Sequence, residues 1–173
     1  MLRLLLLRHA KSSWPSGTSD TERPLSDRGE AAARLMGSYI AHHSLFPDRV
    51  LCSPARRTRD TWTGLSAAWP AAREPDFDAR LYGATRHAIL SIVREADAPR
   101  TLLVIGHNPG LQEAAESLIA AGDVDLRERL REKLPTAALA VIDFTAAAWS
   151  DIHERSGRLD RYVTPRSIAA ATA

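Results

Sequence analysis

The 173-residue chain has one cysteine, only two lysines and no long apolar run. A single cysteine excludes an internal disulfide and suits a reducing compartment. No stretch approaches the run of about 18 apolar residues that a membrane-spanning helix needs. The histidines and the cysteine show neither His-x-x-x-His nor Cys-x-x-Cys spacing, so the sequence predicts no metal site. These absences favour a cytoplasmic protein that uses no metal or other cofactor.

Charge is nearly balanced, with 23 Lys and Arg against 21 Asp and Glu and a formal net charge of +2. So small an excess gives no reason to expect nucleic acid or a membrane as a partner. The length suits one domain, and neither a repeat nor a linker is visible. We therefore predict a single domain over residues 1–173, with the Ala-rich tail, residues 165–173, as a candidate for disorder.

Apolar segments alternate with amphipathic ones along the chain. Strands are predicted at Leu2–Leu7, Arg49–Cys52, Thr101–Ile105, Ala137–Phe144 and Arg158–Val163, with a weaker one at Phe77–Leu81. Helices are predicted at residues 26–43, 53–69, 86–96 and 108–121, with a short one at 127–133. Ser53-Pro54 and Asn108-Pro109 each place a capping residue before a proline, which predicts that two of the helices begin there. This alternation predicts a three-layer α/β/α sandwich around a mainly parallel sheet.

Three polar segments begin where predicted strands end. They are Arg8-His9, Ser53 to Arg57, and His107-Asn108. Ligands of open α/β sheets bind beyond the carboxyl ends of the strands, so His9 and His107 are expected to converge although they are far apart in sequence. The planar forks of Arg8 and Arg57 match phosphate oxygens, and helix N-termini attract anions. Together these residues predict a phosphate-binding site.

These segments resemble the motifs of the histidine phosphatase superfamily. Leu7-Arg-His-Ala-Lys-Ser-Ser-Trp14 is similar to its Arg-His-Gly signature, with Ala10 in place of the usual glycine. The likeness continues through Asp20–Gly29, Ser53–Thr58, Gly106–Leu111 and Pro135–Ala138, and so covers nearly the whole chain. Its small branch, the SixA-type phosphohistidine phosphatases, is the most similar. The resemblance implies a phosphoglycerate mutase-like fold and a metal-independent phosphatase.

The resemblance assigns catalytic roles to His9, His107, Arg8 and Arg57. His9 is the nucleophile that takes the phosphoryl group onto its ring, and His107 donates to the transferring oxygens. Arg8 and Arg57 are the phosphate clamps, with Arg56 as the alternative to Arg57. Asn108 is expected among the phosphate-binding residues.

Larger members of the superfamily carry a helical cap and a glutamate that protonates the leaving oxygen. The short stretch between Trp69 and Thr101 leaves no room for a cap domain. The possible acids are Asp20, Glu22, Asp76 and Asp78, although a surface position is the simpler interpretation of each. An open site without a strong acid favours protein phosphohistidine as the substrate, because a phosphoramidate nitrogen can be protonated before it leaves. Two alternatives stay open: a phosphatase of a small phosphorylated metabolite, and a non-catalytic phosphate-binding module.

The remaining residues of interest receive simpler interpretations. Trp14, near His9, is expected to pack against its own loop, with substrate contact as the alternative. Cys52 is expected in the core. The other histidines, expected on exposed surfaces, are His42, His43, His87 and His153.

Overall fold

The computed structural model describes all 173 residues. The strands are β1 (Leu2–Arg8), β2 (Arg49–Cys52), β3 (Asp76–Phe77), β4 (Thr101–Gly106), β5 (Ile119–Gly122), β6 (Leu139–Phe144) and β7 (Gly157–Val163). The helices are α1 (Asp27–His42), α2 (Arg56–Ser66), α3 (Arg86–Arg94), α4 (Gly110–Leu118), α5 (Val124–Glu132) and α6 (Pro165–Ala171). Short 3-10 turns occupy Asp20–Glu22, Ala79–Leu81 and Trp149–Asp151. None of the helices combines the length and the apolar character needed to cross a membrane.

All seven strands form one sheet in the order β3-β2-β4-β1-β6-β7-β5. Only β6 runs against its neighbours, because it pairs antiparallel with both β1 and β7 while the other pairings are parallel. The predicted α/β fold with a mainly parallel sheet is therefore confirmed. The segment between α2 and β4 holds only β3, a 3-10 turn and α3, so there is no separate cap domain.

The central strand β1 contributes to two cores because its side chains alternate between the faces of the sheet. Leu2, Leu4 and Leu6 join the cluster that includes residues of α3, α4 and α5. Leu5 and Leu7 join a second cluster with residues of α1 and α2. Leu4 to Leu7 are completely buried, and burying each such side chain contributes about 1.5–3 kcal/mol. A strand covered by helices on both faces needs no polar alternation, which explains its unbroken leucine run.

Several predicted element boundaries are wrong. Helix α2 begins at Arg56 rather than Ser53, and α4 begins at Gly110 rather than Asn108. In both places the chain needs extra residues to turn from the strand end into the helix, and the capping-residue-plus-proline pattern did not reveal them. By contrast, the Ser26 side chain accepts a hydrogen bond from the Gly29 amide at the start of α1, as its helix-start signal predicts.

The carboxyl-terminal part of the chain differs more from the predictions. Residues 119–121, predicted as helix, belong to β5, because the edge of β7 offers them backbone pairing. The tail forms α6 from Pro165 to Ala171 instead of being disordered. Thr164 and Ser167 cap its first turn reciprocally, and Ile168 packs against the α1–α2 side of the core.

Candidate active site

The two predicted site histidines lie side by side. β1 and β4 are adjacent and parallel, with Arg8 paired to Gly106, so the residues that follow, His9 and His107, leave neighbouring strands together. Their ring centroids are 5.3 Å apart, close to the spacing of neighbouring strands. Both side chains are largely buried, each residue being only 8% exposed. The strand register therefore brings together residues that are far apart in the sequence.

A backbone hydrogen bond determines which nitrogen of His9 is free. Its Nδ1 lies 2.8 Å from the Ala10 carbonyl oxygen, which can only accept, so Nδ1 carries the proton and donates. In the neutral ring the lone pair is then on Nε2. Burial, with smaller contributions from the neighbouring cations, lowers the pKa of His9 to about 3. The ring is therefore neutral at physiological pH, with its nucleophilic nitrogen defined by the fold.

Ser53 holds the second histidine. Its hydroxyl lies 2.7 Å from Nε2 of His107, and it also accepts a long hydrogen bond from the Ala55 amide. Burial, reinforced by the positive charge of Arg57, lowers the pKa of His107 to about 4. When the serine hydroxyl donates to Nε2 of this neutral ring, the proton of the imidazole is on Nδ1. That arrangement presents an N–H donor to an anion.

The unpartnered buried polar atoms of the molecule are confined to this site. Nε of Arg8 and Nδ1 of His107 are the only buried side-chain nitrogen or oxygen atoms without a hydrogen-bond partner. Burying such donors without a partner is costly, and natural structures do so rarely. Both are suited to donate to an oxyanion. Two such donors in one site favour a ligand with several acceptor oxygens.

Arg8 and Asn108 are both tied to the carbonyl of Leu134. Arg8 donates to it at 3.1 Å and the Asn108 side-chain amide at 2.9 Å. The side-chain oxygen of Asn108 in turn accepts a hydrogen bond from the backbone N–H of Gln112, which lies 3.3 Å away in the first turn of α4. Asn108 thus connects α4 to the segment before β6, and its contact with phosphate stays a prediction.

Arg57 faces the site, whereas Arg56 does not. Arg57 is 7% exposed, and its guanidinium donates to the backbone carbonyl of Asp20 at 2.7 Å and to the Asp20 carboxylate at 3.3 Å. Arg56 is exposed and pairs with Asp60 one turn further along α2. This geometry favours Arg57 as the predicted clamp.

Asp20 is the one candidate acid that borders the site. Its carboxylate accepts hydrogen bonds from Tyr82, Arg23 and Arg57. The Tyr82 hydroxyl is the largest cause that lowers the pKa of Asp20, with the two arginines acting in the same direction. Asp20 is therefore ionised at neutral pH and is poorly suited to protonate a leaving group. The Tyr82 ring also meets His107 edge-on, at 5.6 Å between centroids.

The other candidate acids form surface ion pairs away from the histidines. Asp76 pairs with Arg49 at 2.9 Å, Asp78 with Arg80 at 2.8 Å, and Glu22 with Arg59 at 3.8 Å. Asp76 and Glu22 are exposed, as the simpler interpretation expects, whereas the Asp78 side chain is only 20% exposed.

The simpler interpretations of Trp14 and the surface histidines need two corrections. Trp14 is 61% exposed rather than packed into its loop, with its indole N–H bonded to the Thr18 carbonyl and the Arg23 guanidinium 4.3 Å from its ring centroid. His43 is partly buried because its ring packs against Tyr39, at 4.2 Å between centroids. Cys52 is fully buried, as predicted.

Close contacts with two glycines position the loops around the site. A Cβ atom on Gly29, in the first turn of α1, would lie 1.9 Å from the Lys11 carbonyl oxygen. A Cβ on Gly110 would lie 1.9 Å from the Ala84 carbonyl oxygen, two residues after Tyr82. Only glycine allows these approaches. The start of α1 therefore holds the loop that follows His9, and the start of α4 holds the loop that carries Tyr82.

A large cavity lies elsewhere in the molecule. It measures about 670 Å³ and lies around the amino ends of β2 and β4, lined by Arg49, Asp76 and Asp97 among others. Arg49 forms ion pairs with both carboxylates, so the cavity lining largely neutralises itself. No group of three or more His, Cys, Asp or Glu side chains is placed to hold a metal ion. The candidate active site thus rests on its chemistry and not on cavity size.

Comparison with known proteins identifies the family of the chain. The sequence profile of the histidine phosphatase superfamily (branch 1) matches residues 4–100, and the chain belongs to that superfamily. An uncharacterized protein of Mycobacterium tuberculosis is 38% identical over 92% of this chain and 100% of its own length.

Two solved structures have closely similar folds. The proposed phosphohistidine phosphatase SixA of Nakamurella multipartitia aligns with a TM-score of 0.83 and 27% identity, covering 95% of this chain and 96% of its own. Its counterpart from Agrobacterium tumefaciens aligns with a TM-score of 0.80 and 28% identity, covering 95% and 98%. The chain is therefore SixA-like, and its family and fold support phosphatase activity.

Sequence reasoning missed three parts of the site. Ser53 was interpreted as a helix cap, but its hydroxyl bonds His107. Tyr82 and the Leu134 carbonyl were not singled out, although both touch groups at the site. No local motif surrounds Tyr82, and a backbone carbonyl has no sequence signature, so only the fold reveals these two contacts.

Proposed function

We propose that this protein is a phosphatase that transfers the phosphoryl group to Nε2 of His9 and then to water. The observation that carries the proposal is the hydrogen bond from His9 Nδ1 to the Ala10 carbonyl, in a ring kept neutral by burial. That bond leaves the Nε2 lone pair available for attack. Covalent catalysis of this kind divides one difficult transfer into two easier ones.

In the first step Nε2 attacks phosphorus, the bond from phosphorus to the leaving atom breaks, and the leaving group departs with its electron pair and acquires a proton. In the second step water attacks phospho-His9, the P–N bond breaks, and inorganic phosphate and free His9 are produced. Arg8, Arg57 and the Nδ1–H of His107 provide the positive charge and donors that stabilise the equatorial oxygens in both steps. None of these roles requires a metal ion.

The substrate we propose is phosphohistidine in a protein. The only carboxylate beside the site, that of Asp20, is held ionised by Tyr82 and two arginines, so the site lacks a good general acid. General acid catalysis is typically worth about 10²–10⁴-fold, and its absence matters most for poor leaving groups such as alkoxides. An imidazole leaves as a neutral molecule once its nitrogen is protonated. The absence of a cap domain and the likeness to SixA structures further support a macromolecular substrate.

The nucleophile is tested with His9→Ala. We expect loss of measurable turnover and of the acid-labile phosphoenzyme that a rapid alkaline quench traps in the wild type. Because His9 follows a strand end and contributes little to the core, the free energy of unfolding at neutral pH should change little in this variant. His87→Ala is the matched control, since His87 is exposed. Normal turnover in His9→Ala would exclude the proposed nucleophile.

The substrate is tested by comparing leaving groups at saturation. We expect hydrolysis of a phosphohistidine peptide, slow hydrolysis of aryl phosphates, and scarcely any of phosphoserine or sugar phosphates. A plot of log rate against leaving-group pKa across an ester series should fall steeply. A flat plot with rapid turnover of a sugar phosphate would instead favour a small-metabolite phosphatase with an undetected acid.

A further inference from the structure

A basic pocket is lined in part by residues that are close in sequence to those of the candidate active site. It measures about 300 Å³ and is lined by nine residues, none of them acidic. Four are cations: Lys11, Arg28, Lys133 and Arg166. Both lysines of the chain are therefore in this one pocket. We define these four residues as the basic pocket cations.

The charges of this pocket are unbalanced, in contrast to those of the large cavity around Arg49. None of the basic pocket cations forms an ion pair, although many arginines elsewhere in the molecule do. Four like charges that converge without counter-charge repel one another and destabilise the fold slightly. An anionic ligand would relieve that repulsion. The pocket is thus electrostatically matched to a group with several negative charges.

Short stretches of chain connect the lining of the pocket to the active site. Lys11 is two residues from His9, which puts their Cα atoms within about 7 Å. The loop Pro135–Thr136 lines the pocket, and the next residue, Ala137, donates its amide to the backbone carbonyls of Arg8 and His9. Leu134, before the loop, accepts the side chain of Arg8. A polypeptide in the active site could therefore reach the pocket with its neighbouring residues.

We infer that the basic pocket binds an acidic segment of the protein substrate that flanks the phosphorylated histidine. This inference rests on the proposed function for its substrate class. The pocket is open at the surface, its four cations are exposed, and its size suits two or three carboxylate side chains. The pocket gives the enzyme a preference for acidic partners that the nearly neutral net charge of the chain does not predict.

The test compares two phosphohistidine peptides, one with three acidic flanking residues and one with their amide counterparts. At about 50 mM salt the wild type should favour the acidic peptide about tenfold in kcat/KM, through a lower KM, and the preference should shrink in about 0.5 M salt. The variant K133Q/R166Q should lose most of the preference and keep its rate on the amide peptide. The control R73Q/R127Q removes two arginines that form no ion pair and lie outside the pocket, and it should keep the preference.

Equal turnover of the two peptides by the wild type, or an undiminished preference in K133Q/R166Q, would overturn the inference. The inference would also be overturned if K133Q/R166Q slowed only the hydrolysis of a bisphosphorylated metabolite, since the pocket would then bind a small anion. Fluorescence anisotropy with a labelled hexaglutamate peptide provides a readout independent of catalysis. If neither phosphohistidine peptide is hydrolysed but K133Q/R166Q weakens this binding about tenfold, the proposed function fails while the acidic-peptide site stands. If K133Q/R166Q binds the hexaglutamate peptide as tightly as the wild type does, the acidic-peptide site is excluded as well.

Discussion

The two buried histidines should make the protein unstable to mild acid. Their ordinary pKa is 6.5, and the fold lowers the pKa to about 3 in His9 and to about 4 in His107. Between those values and 6.5 the unfolded chain binds protons that the folded protein does not. The stability they contribute is therefore complete above pH 6.5 and decreases as the pH falls.

At pH 5 each unfolded imidazole is almost fully protonated while its folded counterpart is mostly neutral. Because the unfolded chain binds these protons, the free energy of unfolding is about 2 kcal/mol lower at pH 5 than at pH 7 for each histidine. A loss of about 4 kcal/mol for the pair is large against a typical domain stability of about 5–15 kcal/mol. The buried geometry of the site thus predicts that stability falls while most carboxylates are still ionised.

The assay is urea unfolding at pH 7 and pH 5 for the wild type, His9→Gln, His107→Gln and the control His87→Gln. Between pH 7 and pH 5 the free energy of unfolding should fall by about 2 kcal/mol less in each site variant than in the wild type. The control replaces an exposed histidine, so its free energy of unfolding should fall by as much as that of the wild type. Comparing differences across pH removes any constant effect of each substitution. If His9→Gln and His107→Gln show the full wild-type loss, the imidazoles are not held neutral by the fold.

Three further predictions concern the site. Ser53→Ala leaves Nε2 of His107 without its partner, at a cost of about 1–3 kcal/mol, so kcat/KM should fall roughly 5- to 150-fold. The control is Ser117→Ala, which removes a hydroxyl from α4. A change in kcat/KM below twofold in Ser53→Ala would refute the role of Ser53. Arg57→Ala should reduce kcat/KM by several powers of ten and Arg56→Ala by less than threefold; the reverse order would show that Arg56 is the clamp. Prolonged treatment with a chelator should leave the rate on an aryl phosphate unchanged, and a loss restored by a divalent ion would reveal a metal requirement.

The sequence by itself was enough to predict the sheet architecture and the convergence of His9 and His107 at the ends of strands. Its unbroken leucine run could be interpreted as a strand because a parallel strand covered on both faces is apolar throughout. Arg8, His9, Arg57 and His107 could be singled out because each lies at the end of a strand, directly after a strand or in the first turn of a helix, where local patterns are strong. Family resemblance then supplied a role for each of them.

Only the tertiary structure decided the contacts that tune those residues. The tautomer of His9 depends on a carbonyl in its own loop, and the orientation of His107 depends on Ser53, 54 residues away in the sequence. Tyr82 and Asp20 are 62 residues apart and meet because the fold places two loops together. The basic pocket likewise joins cations from four separate segments. Such contacts depend on strand order and loop packing, and no local sequence pattern encodes them.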